Sequence, residues 1–182
     1  MRRSEQDRHD VSGAGRTARI LGAYFSYTGN TKRAMETLCA ALRGALDVET
    51  IEIMPKRKRS YLHWLAYSFV PGSEAEIRNQ PMELSDYAGV VLGFPKWTFS
   101  CPPLNRFIRE LAGVQVPSFF LLMTCGGFDE RRFMRAFTHE LRGIGCNVVD
   151  SLTIKRKWIR EGTYIASVES FAKRIEEQLK LR

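Results

Sequence analysis

The chain alternates short apolar runs of strand length with longer segments that have the periodicity of an amphipathic helix. The runs occupy residues 20–25, 48–54, 89–94, 119–123 and 147–154. Strands that are separated by helices are joined by right-handed crossovers, which makes the sheet parallel and covers both of its faces with helices. The alternation therefore predicts an α/β fold with one five-stranded parallel sheet.

The polarity of the five runs predicts the order of the strands in the sheet. Runs 20–25, 89–94 and 119–123 are wholly apolar, as expected of strands that are buried on both faces. Run 48–54 alternates apolar with polar residues, and run 147–154 contains Asp150, Ser151 and Thr153. The first, third and fourth strands then belong inside and the second and fifth at the edges, which matches the doubly wound order 2-1-3-4-5.

Four apolar stripes at helical spacing identify the helices. They are Met35, Leu38, Cys39 and Leu42; Leu104, Phe107, Ile108 and Leu111; Met134, Phe137 and Leu141; and Val168, Phe171, Ala172, Ile175 and Leu179. The connection 55–88 is longer than one crossover and contains a basic run followed by an aromatic segment, 61–70. That segment is interpreted either as a short helix covering the sheet or as a basic amphipathic contact with a partner or a membrane surface.

Length and composition predict one globular domain over residues 17–182, preceded by a disordered leader at residues 1–16. The chain has 182 residues, 44% of them hydrophobic, which is enough for one core. Its apolar runs are far shorter than the ~20 residues that cross a bilayer, and no apolar run follows the first arginines as an export signal requires. A cytoplasmic protein is expected. Four dispersed cysteines and three histidines predict free thiols and no metal site.

The net charge of +8 is concentrated in two clusters of four cations, which together equal the whole excess. They are Lys56, Arg57, Lys58 and Arg59, and Lys155, Arg156, Lys157 and Arg160. Each follows a predicted edge strand, so the clusters should flank the carboxyl rim of the sheet from opposite sides. Such a field suits an acidic redox protein, a nicotinamide nucleotide or anionic lipid, and nucleic acid is not the expected partner. Solvated loops without a partner are the alternative.

In a doubly wound sheet, ligands bind outside the carboxyl ends of the strands, and the loop after the first strand has the composition of a phosphate site. It contains Ser26, Tyr27, Thr28, Gly29, Asn30 and Thr31 and leads directly into a helix. Hydroxyl groups and backbone N–H groups at a helix start form a nest for an anion. The loop matches neither G-x-G-x-x-G nor G-x-x-x-x-G-K-[ST], which argues against dinucleotides and nucleoside triphosphates. Ordinary helix capping is the alternative.

The loops after the third and fourth strands have features of a site for a planar ring. The former contains Pro95, Lys96, Trp97, Thr98 and Phe99, whose two large aromatic side chains can stack on a ligand or pack on the segment around Trp64. The latter contains Thr124, Cys125, Gly126 and Gly127, whose glycines let backbone N–H groups approach a ligand or simply form a flexible turn.

Residues 18–181 resemble the flavodoxin family. The most specific match is Ser26 to Thr31 against [ST]-x-T-G-x-T, followed by Gly93-Phe94-Pro95-Lys96-Trp97 with Pro102-Pro103. The resemblance implies that FMN is bound, with its phosphate in the first loop, its isoalloxazine flanked by Trp97 and its neighbours, and its polar edge at Cys125, Gly126 and Gly127. Two departures are a basic rather than acidic chain and Phe128 in the loop where a stacking tyrosine often stands.

The expected function is electron transfer through a bound flavin, as a carrier or as a reductase of a small acceptor such as a quinone. No pair of catalytic acid and base residues is evident. Lys96 is expected either near the flavin or solvated, and Cys125 is expected to be a packing residue rather than a nucleophile. The alternative function is a non-redox binding module of the same fold that has lost its flavin and binds an anionic partner with its basic rim.

Overall fold

A computed structural model describes residues 17–79, 83–111 and 118–181, so the leader predicted at residues 1–16 lies outside the described residues. Five parallel strands form one sheet in the order β2-β1-β3-β4-β5. They are β1 (Arg19–Tyr24), β2 (Asp47–Glu52), β3 (Gly89–Pro95), β4 (Phe119–Cys125) and β5 (Val148–Lys155). The predicted flavodoxin-like doubly wound fold and its strand order are confirmed.

Six helices connect or flank the strands in the part of the chain that the structure describes. They are α1 (Asn30–Leu42), α2 (Tyr61–Tyr67), α3 (Pro102–Leu111), α4 (Glu130–Gly143), α5 (Arg156–Glu161) and α6 (Ile165–Lys180). The predicted stripes of α1, α3, α4 and α6 face the core, with Leu179 half-buried at the end of the last stripe. No helix within the described ranges has the length and apolar content needed to span a membrane.

Helix α5 was not predicted from the sequence. Its six residues are RKWIRE, and among them only Ile159 is buried. One buried side chain in a turn and a half gives no periodic signal, so the sequence of this segment indicates only a charge cluster.

The core has two layers, one on each face of the sheet. Helices α3 and α4 cover one face through side chains such as Leu104 and Phe137, and α1, α5 and α6 cover the other through Leu38 and Phe171. Every residue of the central strand β4 is buried, whereas β2 and β5 are only partly covered, as expected of edge strands.

The strand register brings the carboxyl ends of the central strands to one edge of the sheet. Tyr24 lies opposite Gly93, and Pro95 lies opposite Thr124. Cys125 in turn pairs with Lys155, the residue before α5. The first loop (26–31), the second loop (95–101), the third loop (124–129) and the start of α5 therefore meet at this edge.

Candidate cofactor site

The three loops border one cleft of about 660 Å³ at the carboxyl edge of the sheet. Ten of the residues predicted for the site line it: Thr28, Asn30, Pro95, Lys96, Trp97, Thr98, Phe99, Thr124, Cys125 and Gly126. Five predicted residues do not line it: Ser26, Tyr27, Gly29, Thr31 and Gly127. The structure thus brings the three loops together, while Thr31 is buried beside the cleft and Tyr27 and Gly29 are exposed.

The first loop presents polar groups at the start of α1. Gly29 precedes the helix with a φ of 80°, a left-handed conformation that favours glycine. The Asn30 side-chain amide donates to Thr28 Oγ1 over 2.9 Å, and no acidic residue stands in the first turn. The free N–H groups and positive end of the helix dipole make this region suitable for an anion.

The Ser26 hydroxyl is a buried polar atom without a hydrogen-bond partner among the described residues. Buried hydroxyl groups are normally paired, because an unmet hydrogen bond costs about 1–3 kcal/mol. Ser26 opens the first loop, so a ligand oxygen held by this loop would supply the missing partner. The residues present therefore fit a phosphate-bearing group.

Thr31 ties the first loop to the third. It is buried, and its Oγ1 lies 2.8 Å from Thr124 Oγ1 in a hydrogen bond between hydroxyl groups. Because Thr124 lines the cleft, this bond fixes the start of α1 relative to the end of β4. A hydroxyl has one proton and two lone pairs, so Thr31 retains capacity for a further bond.

Trp97 of the second loop packs within an aromatic cluster. Its ring stacks on Trp64 of α2 with centroids 6.2 Å apart and 20° between planes, and it meets the edge of Phe25 at 5.5 Å. Packing on the segment around Trp64 is therefore the arrangement that the structure shows, and Trp97 still lines the cleft. Phe99 remains 64% exposed and meets Phe69 edge-to-face.

Helix α2 and the second loop are held together as one wall of the cleft. Phe99 N–H donates to Ser68 C=O over 3.0 Å, and the hydroxyls of Ser68 and Thr98 are hydrogen-bonded. Farther along, Ser73 and Ser100 join their hydroxyls over 3.1 Å. The predicted short helix is present, but it packs on the loop at the rim instead of covering the sheet.

The third loop allows close approach of α5. A Cβ at Gly126 would lie 2.9 Å from Arg156 Nη2, so the missing side chain leaves room for the guanidinium group. Gly127 has a φ of 101°, and Asp129 adopts a left-handed φ of 51° before α4. Cys125 is buried, and burial raises the pKa of its thiol, which keeps it protonated near neutral pH.

Cations border the cleft more closely than the sequence alone indicated. Lys96 Nζ lies 5.5 Å from the ring centroid of Phe133 and 6.0 Å from that of Phe128. Arg132 and Arg156 also line the cleft, together with the acidic side chains of Asp129 and Glu140.

Sequence reasoning did not assign the cleft residues that are supplied by α2, α4 and α5 and by the positions just after α2 and just before α4. They are Tyr61, Leu65, Phe69, Asp129, Arg132, Phe133, Ala136, Phe137, Glu140 and Arg156. The aromatic density of 61–70 was the available signal for the first three. The residues of α4 carry no such signal, because a helix face that lines a cleft has the same periodicity as one that is buried in a core.

The two basic clusters follow the two edge strands, β2 and β5, as predicted. Of the eight cations only Arg156 lines the main cleft. Residues of the first cluster border a second cleft of about 420 Å³ on the other side of α2, next to His63 and Tyr67.

No protein-family model matches the sequence. The chain is 34% identical over 139 residues to an uncharacterised protein of Archaeoglobus fulgidus, an alignment that covers 76% of this chain and 86% of that protein. Among solved structures, a proposed flavoprotein of Bacteroides uniformis superposes with a TM-score of 0.68 at 22% identity, over 87% of this chain and 99% of the other.

Two further solved structures are similar. A flavoprotein of Lactobacillus acidophilus in complex with FMN gives a TM-score of 0.64 at 16% identity, over 75% of this chain and 93% of the other. A flavodoxin from the domain Archaea gives a TM-score of 0.58 at 16% identity, over 89% of this chain and 99% of the other. The chain belongs to the same family as the Archaeoglobus fulgidus protein, and its fold is that of the flavodoxin-like solved structures.

Proposed function

We propose that this chain is a cytoplasmic FMN-binding protein that transfers electrons, either as a carrier or as a reductase of a small acceptor such as a quinone. The observation that carries the proposal is the single cleft onto which all three loops of the carboxyl edge open. The FMN bound to the Lactobacillus acidophilus neighbour supports the same cofactor class. When bound, the flavin supplies the redox chemistry, and the protein positions it and sets its surroundings.

The first loop would hold the phosphate. Thr28 and Asn30 line the cleft directly, and the backbone N–H groups after Gly29 form the anion nest. Ser26 and Thr31 would add their hydroxyls from behind, and Tyr27 closes the outer side of the loop against Tyr61 at 5.8 Å between ring centroids.

The second and third loops would hold the ring system. Pro95, Trp97, Thr98 and Phe99 form an amphipathic surface on which a planar ring can lie. Cys125, Gly126 and Gly127 follow β4, and their backbone groups would meet the polar edge of the ring. The aromatic side chains of the second loop would shield one face of the ring from water.

The cations around the cleft favour an anionic partner. An acidic redox protein or a nicotinamide nucleotide would be attracted to the side on which Arg156 lies, and association would weaken as salt screens the charges. Neutralising Lys155, Arg156, Lys157 and Arg160 should slow the second-order reaction with such a donor and flatten its salt dependence. An unchanged second-order rate at low salt would contradict the attraction of an anionic partner by these cations.

The decisive experiment is to purify the protein and identify what it binds. Flavin absorbance and FMN released on denaturation, identified by mass spectrometry, are expected. A colourless protein that takes up no added FMN would contradict the proposal and favour the non-redox binding module.

The phosphate assignment is tested by the double variant Thr28→Val with Thr31→Val, which removes two hydroxyls and leaves side-chain volume nearly unchanged. Hydrogen bonds to a charged group contribute about 1.5–3 kcal/mol each, so FMN affinity should fall by at least about tenfold. Thr37→Val is the matched control, because Thr37 lies in α1 and bonds to Tyr164, away from the cleft. Retention of wild-type affinity by the double variant would refute the assignment.

A further inference from the structure

Four large apolar side chains beside α2 are more exposed than buried. Leu62 is 73% exposed, Phe99 64%, Phe69 55% and Val70 54%. We call these four residues the apolar tip. The rings of Phe69 and Phe99 meet at 6.1 Å, which joins the two segments that form the tip. An exposed apolar patch of this kind marks a surface that contacts something else.

The apolar tip points outward because the other side of the same turns is anchored. Helix α2 contains Leu62 and ends at Tyr67, and the N–H groups of Phe69 and Val70 donate to Ala66 and Tyr67 C=O in the turns that follow. Helical spacing continued through these turns would place all three side chains on one side. Trp64 and Ser68 lie on the opposite side and are buried. Ser68 N–H donates to Trp64 C=O over 2.9 Å, so the helical turn continues beyond Tyr67 toward the tip.

Cations lie next to the apolar tip in the sequence, and Arg57 and Arg59 border the second cleft beside His63, the residue after Leu62. Residues 55–73 contain four Lys and Arg residues and no carboxylate. Lys56 lies 3.8 Å from Glu76, whereas Arg57, Lys58 and Arg59 have no acidic partner within the described part of the chain. The neighbouring Glu74 is engaged by Arg106 and Arg109. The surface therefore combines apolar protrusions with a net positive charge.

We propose that the apolar tip and Arg57, Lys58 and Arg59 form a peripheral docking surface for a membrane that contains anionic phospholipid. Protruding apolar side chains can enter the boundary between headgroups and acyl chains, and the cations beside them can contact lipid phosphates. The exposed apolar side chains and the positive charge together complement a surface that is apolar inside and anionic outside, as such a membrane is. The proposal does not depend on the cofactor.

Docking in this way would turn the cleft toward the bilayer. Phe69 and Phe99 belong to the apolar tip and also line the cleft. The mouth of the cleft would then face the lipid, while Lys173 and Lys180 on α6 would lie away from it on the other layer of the fold.

Cosedimentation of the full-length protein with vesicles tests the proposal. Vesicles of phosphatidylcholine alone are compared with an equal mixture of phosphatidylcholine and phosphatidylglycerol, each at low and high salt. Binding is expected only to the anionic vesicles, and it should weaken with salt. The double variant Arg57→Gln with Arg59→Gln should reduce the partition coefficient about 30-fold, because each cation near an anionic membrane contributes about 1 kcal/mol, or roughly fivefold in binding. Lys173→Gln with Lys180→Gln, an equal charge change on α6, should leave it unchanged.

The apolar contribution is tested with two exposed leucines. Leu62→Ser should lower anionic-vesicle binding about tenfold, whereas Leu181→Ser, at an 81% exposed position after α6, should not. Absence of vesicle binding at low salt, or equal losses in test and control variants, would overturn the proposal.

Two other occupants of the surface give different results. If the protein binds soluble polyglutamate as tightly as it binds vesicles, and Leu62→Ser does not change that binding, the partner is an acidic protein and not lipid. If the protein is a dimer in solution and Leu62→Ser dissociates it, the partner is a second copy of the chain. Either result overturns the lipid assignment.

Discussion

Lys96 places a cation over two aromatic rings on the lining of the cleft. Positive charge near the flavin would favour uptake of an electron, so Lys96→Glu should lower the midpoint potential of the final reduction step. At an effective dielectric between those of water and the protein interior, the change is on the order of 1–2 kcal/mol, or tens of millivolts.

Spectroelectrochemistry of the flavin-loaded protein measures this shift, with Lys173→Glu as a remote control. Lys96→Gln should give an intermediate value, because it removes one charge without adding its opposite. Equal potentials in the wild type and Lys96→Glu would show that the ammonium group does not act on the flavin.

Cys125 lies at the end of β4 with its side chain buried. Burial raises the pKa of its thiol, and the nearby Lys155 and Lys96 only partly offset this. We therefore expect Cys125→Ala to retain flavin and electron-transfer activity within about twofold, since loss of one buried sulfur changes packing only modestly. Activity assays and flavin quantification check this, and loss of turnover with flavin retained would contradict it.

The packing of α1 on β3 depends on the absence of a side chain at Gly93. A Cβ at this position would lie 2.5 Å from Met35 Cγ and 2.9 Å from Tyr24 Cβ. Gly93→Ala should therefore destabilise the protein by about 1–3 kcal/mol, as overpacking does elsewhere. Urea denaturation measures the loss.

Gly143 provides the matched control for Gly93. It lies in α4, and a Cβ there would meet nothing within 4 Å. Gly143→Ala should be neutral or stabilising by up to about 1 kcal/mol, because alanine favours the helix. Equal destabilisation by both substitutions would show that the contact with Met35 is not the cause.

The sequence alone was sufficient to predict the helices and strands whose buried residues recur at a regular spacing. Residues such as Leu104 and Phe137 fall on one helical stripe, and the wholly apolar runs of β1, β3 and β4 could only be central strands. The positions of all three loops were predictable because each directly follows such a strand. α5 could not be predicted, because one buried residue makes no pattern. The stacking of Trp64 on Trp97 joins positions 33 residues apart, and no local signal distinguishes it from stacking on a ligand.

Buried thiols and phenols make the stability of the whole molecule sensitive to alkali. Burial raises the pKa of Cys39 to about 11 and that of Cys101 to about 12. Tyr24 and Tyr87 are each raised to about 12, mainly by burial and by nearby carboxylates. Above about pH 9 the unfolded chain loses these protons before the folded chain does, so stability falls as pH rises toward the folded values.

Urea denaturation at about pH 8 and about pH 10 should show a loss of roughly 1 kcal/mol for each of the two thiols. Cys101→Ala should be less stable at both pH values but should show a shallower pH dependence. The same slope in this variant as in the wild type would mean that Cys101 does not contribute.

The wall built from α2 and the second loop has a consequence for exchanging parts between relatives. Ser68, Ser73, Thr98 and Ser100 satisfy one another across two segments about 30 residues apart in the chain. Replacing only one segment would leave buried hydroxyl groups of the other segment without hydrogen-bond partners. It would also remove the stacking partner of Trp64 or of Trp97. We therefore expect a chimera that exchanges both segments to fold, and a chimera that exchanges only one of them to be destabilised.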